Sequence, residues 1–260
     1  IGFVLIFRAT DVLSFAQPAM VVVGAGFISY FATQLGIPFI FAFIIGIILT
    51  GLLGFILERT FLRPMVGEPV FSVAVLTIGI DILLRVVLDN WIGINPKYMG
   101  DPFPSYGNFG SLDIGGLTVK YLEVTALITS LVLISILSVF FKRSKYGVAM
   151  RATSLDQEAA LAQGINVGRV FGLVWFIAGL LAAFAGFFIT GGFNTLTNTS
   201  FISALRALPA VVIGGLDSIT GAIIGSLIIG LTQAYVGYYQ FDIESAYTVS
   251  YTHLTLPTKA

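Results

Sequence analysis

Apolar runs at 38–57, 70–88, 121–141, 171–190 and 220–239 punctuate the chain, and nothing constrains its fold more. A helix of about 20 apolar residues crosses a hydrocarbon core of about 30 Å, whereas a membrane strand needs only about ten residues of alternating pattern. Such alternation is absent, so the runs predict an all-α, polytopic transmembrane helical bundle. Composition agrees: 57% of the residues are hydrophobic and only 10% are charged, far from the roughly quarter-charged profile of a soluble domain. The lipid bilayer is therefore the first partner. A formal net charge of zero with no long basic tract excludes nucleic acid as a partner. Lack of cysteine excludes disulfides and thiolate metal sites.

The ends break this pattern. Residues 1–7 (IGFVLIF) are too short to span and read as the second half of a helix whose start is missing. Residues 250–260 (SYTHLTLPTKA) abandon the apolar pattern, carry the only histidine, His253, and resemble translated adapter sequence. The expected organisation is one membrane domain over 1–249, truncated at both ends, followed by a non-native tail over 250–260.

Between the ends, the chain is read from its interruptions. The polar stretch Arg8-Ala9-Thr10-Asp11 makes an elbow before an apolar run over 13–33, which contains Ser14-Phe15-Ala16-Gln17-Pro18. Proline lacks a backbone donor and clashes with a preceding helical turn, so a helix starts or breaks near Pro18. A break at membrane depth requires burial or a water-filled cavity to satisfy the backbone, and that would put Ser14 and Gln17 on a solute path; a plain first-turn proline is the alternative. The 38–57 run carries Gly46, Gly51 and Gly54 and reads as a packed interior helix, because small residues let membrane helices approach closely. Glu58 to Pro64 reads as a polar connection. In the next run Asp81 and Arg85 lie one turn apart, and a neutralising ion pair near the membrane edge is favoured over a functional intramembrane charge.

The connection over 89–120 is rich in Gly, Pro and Asn, and predicts turns with a short hairpin over 110–119. Small residues Ala178, Gly179, Ala182, Ala183, Ala185 and Gly186 mark packing faces on the 171–190 span. Residues 191–200 (GGFNTLTNTS) are polar and uncharged, with Asn194 and Thr195 as further path candidates. The 201–214 run is too short for a perpendicular crossing and holds Arg206 and Pro209, so a broken or re-entrant helix is expected. Gly221 and Gly225 make a close-contact face on the last run.

One long charged interruption remains, 142–169. Its Lys142, Arg143, Lys145, Arg151 and Arg169, against fewer basic residues in 89–120, place it in the cytoplasm. Alternation puts the connection after residue 57 on the same side, and 89–120 and 191–200 on the other. Within the loop, helical periodicity surrounds Glu158-Ala159-Ala160 and, three residues later, Gly164. Over 150–165 the pattern predicts one helix, capped by Thr153 or Ser154, with Asp156 and Glu158 suiting its N-terminal dipole and Gly164 ending it. By itself this is an ordinary solvated loop helix.

Three ordered stretches carry a resemblance. Residues 146–154 (YGVAMRATS) with Asp156, Glu158-Ala159-Ala160, Gly164-Ile165-Asn166-Val167 and Arg169 resemble the cytoplasmic loop of branched-chain amino acid ABC transporter permeases. Ser14-Phe15-Ala16-Gln17 with Gly24-Ala25-Gly26, and residues 212–222 (VIGGLDSITGA), are similar to the same family. Gln17-Pro18 departs from the histidine-glycine pair that often follows Phe-Ala there, which leaves the solute open. The resemblance implies a permease subunit of an ABC importer in a bacterial or archaeal plasma membrane, moving branched-chain amino acids or related small polar solutes. It implies ABC ATPase subunits, a second related permease and an extracytoplasmic solute-binding protein as partners, with ATP bound by the partner and no cofactor in this chain. ATPase coupling falls on Arg151, Asp156, Glu158, Ala159, Ala160 and Gly164. A G-x-x-x-x-G-K-[ST] phosphate loop and an H-E-x-x-H zinc motif are both absent, and neither catalytic residues nor metal ligands are read. An ion-coupled secondary transporter is the rival; it calls for paired intramembrane charges or broken helices in two matching halves, and only Asp81 and Arg85 qualify.

Overall fold

The computed structural model describes residues 1–65, 68–93, 97–98, 111–114, 117–191, 195–196 and 199–254. Five helical stretches are long and apolar enough to cross a membrane: Phe39–Met65, Val70–Trp91, Tyr121–Arg143, Val167–Gly191 and Ile219–Gly237. They are formed by α3 (Phe39–Leu57) with the helical turns Glu58–Leu62 and Arg63–Met65 that continue it, and by α4 (Val70–Ile92), α5 (Tyr121–Arg143), α8 (Val167–Gly191) and α11 (Ile219–Leu254). Two shorter helices precede them, α1 (Gly2–Thr10) and α2 (Gln17–Ser29). The charged interruption folds into α6 (Lys145–Leu155) and α7 (Gln157–Ala162), and the short apolar run into α9 (Thr199–Leu205) and α10 (Ala207–Gly214).

The core is a stack of α2, α3 and α8. Glycines set its spacing. A Cβ added at Gly179 of α8 would lie 2.4 Å from the Thr50 carbonyl oxygen of α3, and one at Gly54 would lie 2.4 Å from that of Trp175. Gly24 of α2 meets the Ala183 backbone at 2.6 Å in the same sense. Backbone thus rests on backbone, which maximises the dispersion contacts that hold helices together where lipid offers no hydrophobic drive. The anticipated small faces are buried at Gly46, Gly51, Gly54, Ala178, Gly179, Ala182, Ala183 and Gly186. Ala185 is exposed instead, and so is the opposite side of α3, where Ile40, Phe41, Ile44, Ile48 and Leu52 face outward. Only the glycine face of α3 is interior.

Helices α10 and α11 form a separate close pair, with Gly221 and Gly225 against Gly214 and Ala210. The short run is broken at Arg206, as its length predicts. Whereas the apolar pattern ends near Tyr239, α11 continues as a helix through Leu254.

Two small antiparallel ladders lie on one face. β2 (Ser111–Ile114) pairs with β3 (Leu117–Lys120), the hairpin expected there. β1 (Lys97–Tyr98) pairs with β4 (Thr195–Leu196), so the 89–120 and 191–200 connections share a side, as the basic-residue count requires. Ser29 at the end of α2 donates to the Tyr98 carbonyl at 2.6 Å, and Trp91 packs on Phe27 and Tyr30 with ring centroids 5.5 and 4.8 Å away. Aromatic rings gathered near span ends are typical of membrane interfaces. The α6–α7 ledge occupies the opposite face.

Candidate functional site

The ledge is built by local rules. Ser144 caps α6, accepting from the Gly147 amide at 2.9 Å, and Asp156 caps α7, accepting from the Ala159 amide at 2.9 Å. Thr153 and Ser154 do not cap. They lie inside α6, donating back to the Ala149 and Arg151 carbonyls. The single helix expected over 150–165 is therefore two, bent at Asp156, whose extended backbone (φ −159°, ψ 111°) cannot continue a helix. An Asp competes well for the role because its short carboxylate reaches orphan amides at a helix start. Gly164 ends α7 as predicted, at φ +78°, with the Ile165 amide donating to Ala160 and the Gly164 amide to Leu161. That reciprocal pair satisfies the last carbonyls and favours glycine at the left-handed position.

The expected coupling residues divide into two groups. Glu158, Ala159, Gly164 and Asp156 are exposed. Ala160 is 3% exposed and packs inward, and Arg151 is half-buried with its guanidinium on the Phe141 carbonyl, locking the ledge to the end of α5. Sequence reasoning missed the most prominent outward groups, Leu155 at 87% and Leu161 at 57% exposed. Their signal was present as apolar residues flanking the Glu-Ala-Ala stretch, but they read as ordinary helix periodicity.

A second unanticipated feature ties the ledge to the core. Glu58, read as part of a solvated connection, is 1% exposed. It accepts two bonds from Arg63, at 3.1 and 2.8 Å, and the same guanidinium donates to the Gly168 carbonyl at 2.7 Å. Gly168 and Gly172 leave the first turns of α8 flat enough for this fork to lie against them. The helical turns that follow α3 are thus pinned to the residues just past the ledge, in the bidentate geometry that arginine favours.

The discontinuous element begins beside the ledge, since Asp11, Val12 and Ser14 share a cleft with Gln157. α1 ends at Asp11 in a left-handed conformation, φ 56°. The chain then runs without helix to Ala16, and α2 begins at Gln17 with Pro18 in its first turn. Gln17 lies against Gly2, which is about 13 Å along α1 from Asp11 at 1.5 Å per residue. Residues 12–16 therefore climb through the membrane as irregular backbone, and α2 starts well inside it. Pro18 is accommodated as a first-turn proline, and the break precedes it. Burial makes this tolerable: Ser14 and Ala16 are 0% exposed, and the Phe15 amide donates to Thr77 of α4 at 3.0 Å.

Just beyond, Arg85 donates to Asp81 at 2.8 Å and sits 4.1 Å from the Phe201 ring centroid. The ion pair read from the sequence is present, but Asp81 lies midway along α4 rather than at an edge. Asp81 Oδ1 has no hydrogen-bond partner. Ser14 Oγ, Gln17 Nε2 and Arg85 Nε are buried and unpartnered as well.

The path candidates separate. Ser14 lines a cleft of about 300 Å³ shared with Thr77, Trp175 and Gln157 of the ledge. Gln17 lines a different cavity of about 260 Å³, walled by α5 and α8. Thr195 lies in β4, opposite Tyr98, and Asn194 lies outside the described residues. Thr195 is therefore held in the β1–β4 ladder rather than at the break. Among the described residues there is no cluster of His, Asp or Glu suited to a metal ion.

These features define a multi-pass membrane protein with a discontinuous helix at its centre and a helical ledge on one face. A model of the family described as branched-chain amino acid transport system, permease component, matches residues 1–256, and the chain belongs to that family. It is 25% identical over 245 residues to the high-affinity branched-chain amino acid transport system permease protein BraD of Pseudomonas aeruginosa, covering 90% of this chain and 80% of the relative. The corresponding protein LivH of Salmonella typhimurium is 27% identical, with 99% of this chain and 88% of the relative covered. A probable branched-chain amino acid transport permease LivH of Methanocaldococcus jannaschii is 28% identical over 248 residues, covering 92% and 76%. No solved structure matches the chain. The importer reading is thereby supported over an ion-coupled transporter.

Proposed function

We propose that this chain is the membrane-spanning subunit of an ATP-driven importer for branched-chain amino acids or closely related small polar solutes. It does no covalent chemistry. ATP binds to separate ATPase subunits, a second related permease completes the membrane unit, and an extracytoplasmic solute-binding protein delivers cargo. The observation that carries the reading is the ledge: a short capped helix on the basic, cytoplasmic side, with Leu155, Leu161, Glu158 and Ala159 turned outward. An isolated leucine that is almost wholly exposed outside the membrane is costly unless a partner covers it. A groove on the ATPase that accepts Leu155 and Leu161, with Glu158 fixing direction, supplies that cover.

In this mechanism Arg151 and Ala160 hold the ledge in place rather than touching the ATPase. ATPase closure pushes α7; the Arg63 fork and the α5 anchor pass that movement to α3, α8 and α5. Copurification of the ATPase with the intact permease tests the assignment. Glu158→Arg and Gly164→Leu are expected to cut ATPase recovery and uptake together while membrane insertion is unchanged. Undiminished recovery and uptake in both variants would remove the ledge from the coupling role.

A further inference from the structure

The cleft beneath the ledge has a charge pattern that points to its occupant. Its rim includes Asp11 and Glu68, both exposed, and Gln157, the first residue of α7. Its walls are apolar, with Val73, Phe171 and Trp175 among them. Among the described residues, no lysine or arginine lines it. Glu58 also faces the cleft, but Arg63 neutralises it, which leaves Asp11 and Glu68 as carboxylates with no ion-pair partner among the described residues. At the inner end Ser14 is 0% exposed, and its hydroxyl has no hydrogen-bond partner although it borders the cavity. A buried hydroxyl without a partner is costly and calls for one. A volume of about 300 Å³ is at the small end for ligand pockets and holds roughly ten waters' worth of solvent.

We propose that this cleft is the ledge-side compartment of the solute path and that it selects for a primary ammonium on a short branched aliphatic chain. The ammonium sits between Asp11 and Glu68, the aliphatic part lies on Trp175, Phe171 and Val73, and the Ser14 hydroxyl receives the remaining polar end. The proposal rests on the importer reading for the identity of the cargo, but its charge preference follows from the lining alone. Because Gln157 belongs to both the rim and the ledge, movement of α7 alters the mouth directly. Release of the solute and the ATPase stroke are in this way linked through one residue.

Trp175 provides a built-in reporter, since the chain has only two tryptophans. In the full-length permease in lipid nanodiscs, with Trp91 and any tryptophan outside these 260 residues changed to Phe as background, emission is titrated with leucine, 3-methylbutylamine and 4-methylpentanoate. Leucine and the amine are expected to shift Trp175 emission saturably and to compete with each other, while the carboxylate, lacking an ammonium, leaves it unchanged. Asp11→Asn with Glu68→Gln is expected to weaken amine binding by about tenfold, the scale of losing a charged hydrogen-bond partner. Asparagine tolerates the left-handed backbone at residue 11, so the fold survives the change. Ser14→Ala is expected to weaken leucine more than the amine. Equal binding of carboxylate and amine, or unchanged amine affinity in the double variant, would overturn the proposal. The two readings fail separately: loss of the charge preference with ATPase association intact overturns the cleft, whereas selective amine binding in a permease that recruits no ATPase overturns the importer reading.

Discussion

Helices α5 and α8 are near twins in hydropathy and opposites in role. Both are apolar along nearly their whole length, yet α5 is almost wholly exposed while half of α8 is buried. The difference lies in side-chain size. α8 carries Gly172, Gly179 and Gly186 with Ala178, Ala182 and Ala183, whereas α5 carries Leu, Ile, Val and Phe with no glycine. Lipid tails solvate large aliphatic groups as well as a protein interior does, so hydropathy says only that a helix spans. The capacity for backbone contact decides which helix becomes the core.

The sharpest way to break that comparison is to fill a contact. Gly179→Leu places carbon 2.4 Å from the Thr50 carbonyl, and because backbone cannot yield as a side chain can, the cost is expected to reach or exceed about 3 kcal/mol. Leu131→Ala on α5, where the leucine is 55% exposed, is expected to change stability by no more than about 0.5 kcal/mol. Thermal aggregation of purified protein in detergent ranks the two. Equal midpoints would mean that glycine contacts do not define the core.

A smaller effect is expected at the fork that pins α3 to α8. Arg63→Ala strands the buried Glu58 carboxylate and is expected to cost about 1–3 kcal/mol, since Arg63 is itself 35% exposed and partly screened. Pairing it with Glu58→Gln removes the stranded charge and is expected to recover part of the loss, which the same midpoint measurement reads. Full additivity of the two changes would show that they do not act as a pair.

The smallest effect belongs to the elbow. Asp11→Gly relieves a left-handed residue and is expected to be neutral or stabilising by up to about 1 kcal/mol, while Asp11→Val is expected to cost about 1–2 kcal/mol. A stable valine variant would mean that the elbow relaxes away from φ 56°.

The contrast also explains what could be read in advance. Spans, most small-residue faces and the fact of a break in the 201–214 run were legible, because length, glycine spacing and proline act locally, but its place at Arg206 was not. So was the Gly164 terminus. The buried Glu58 was not, because its solvation depends on Gly168 and Gly172, more than a hundred residues away, leaving room for Arg63. The bend at Asp156 escaped because Thr153, Ser154 and Asp156 are all good caps, and only packing of the ledge chooses among them. The depth of Gln17 escaped because a first-turn proline looks the same at a membrane surface and at its middle. Ser14 and Gln17 were both singled out, but that they line different cavities is a property of the folded chain alone.

The coupling role of the ledge depends on what covers its exposed side. The direct measurement is site-specific photo-crosslinking in the assembled transporter, with a photoreactive residue placed at 155, at 160 or at 131. The expected result is capture of the ATPase from 155, none from the buried position 160, and only lipid or permease from 131. ATPase capture absent at 155 in an assembled complex, or equally strong at all three positions, would contradict it.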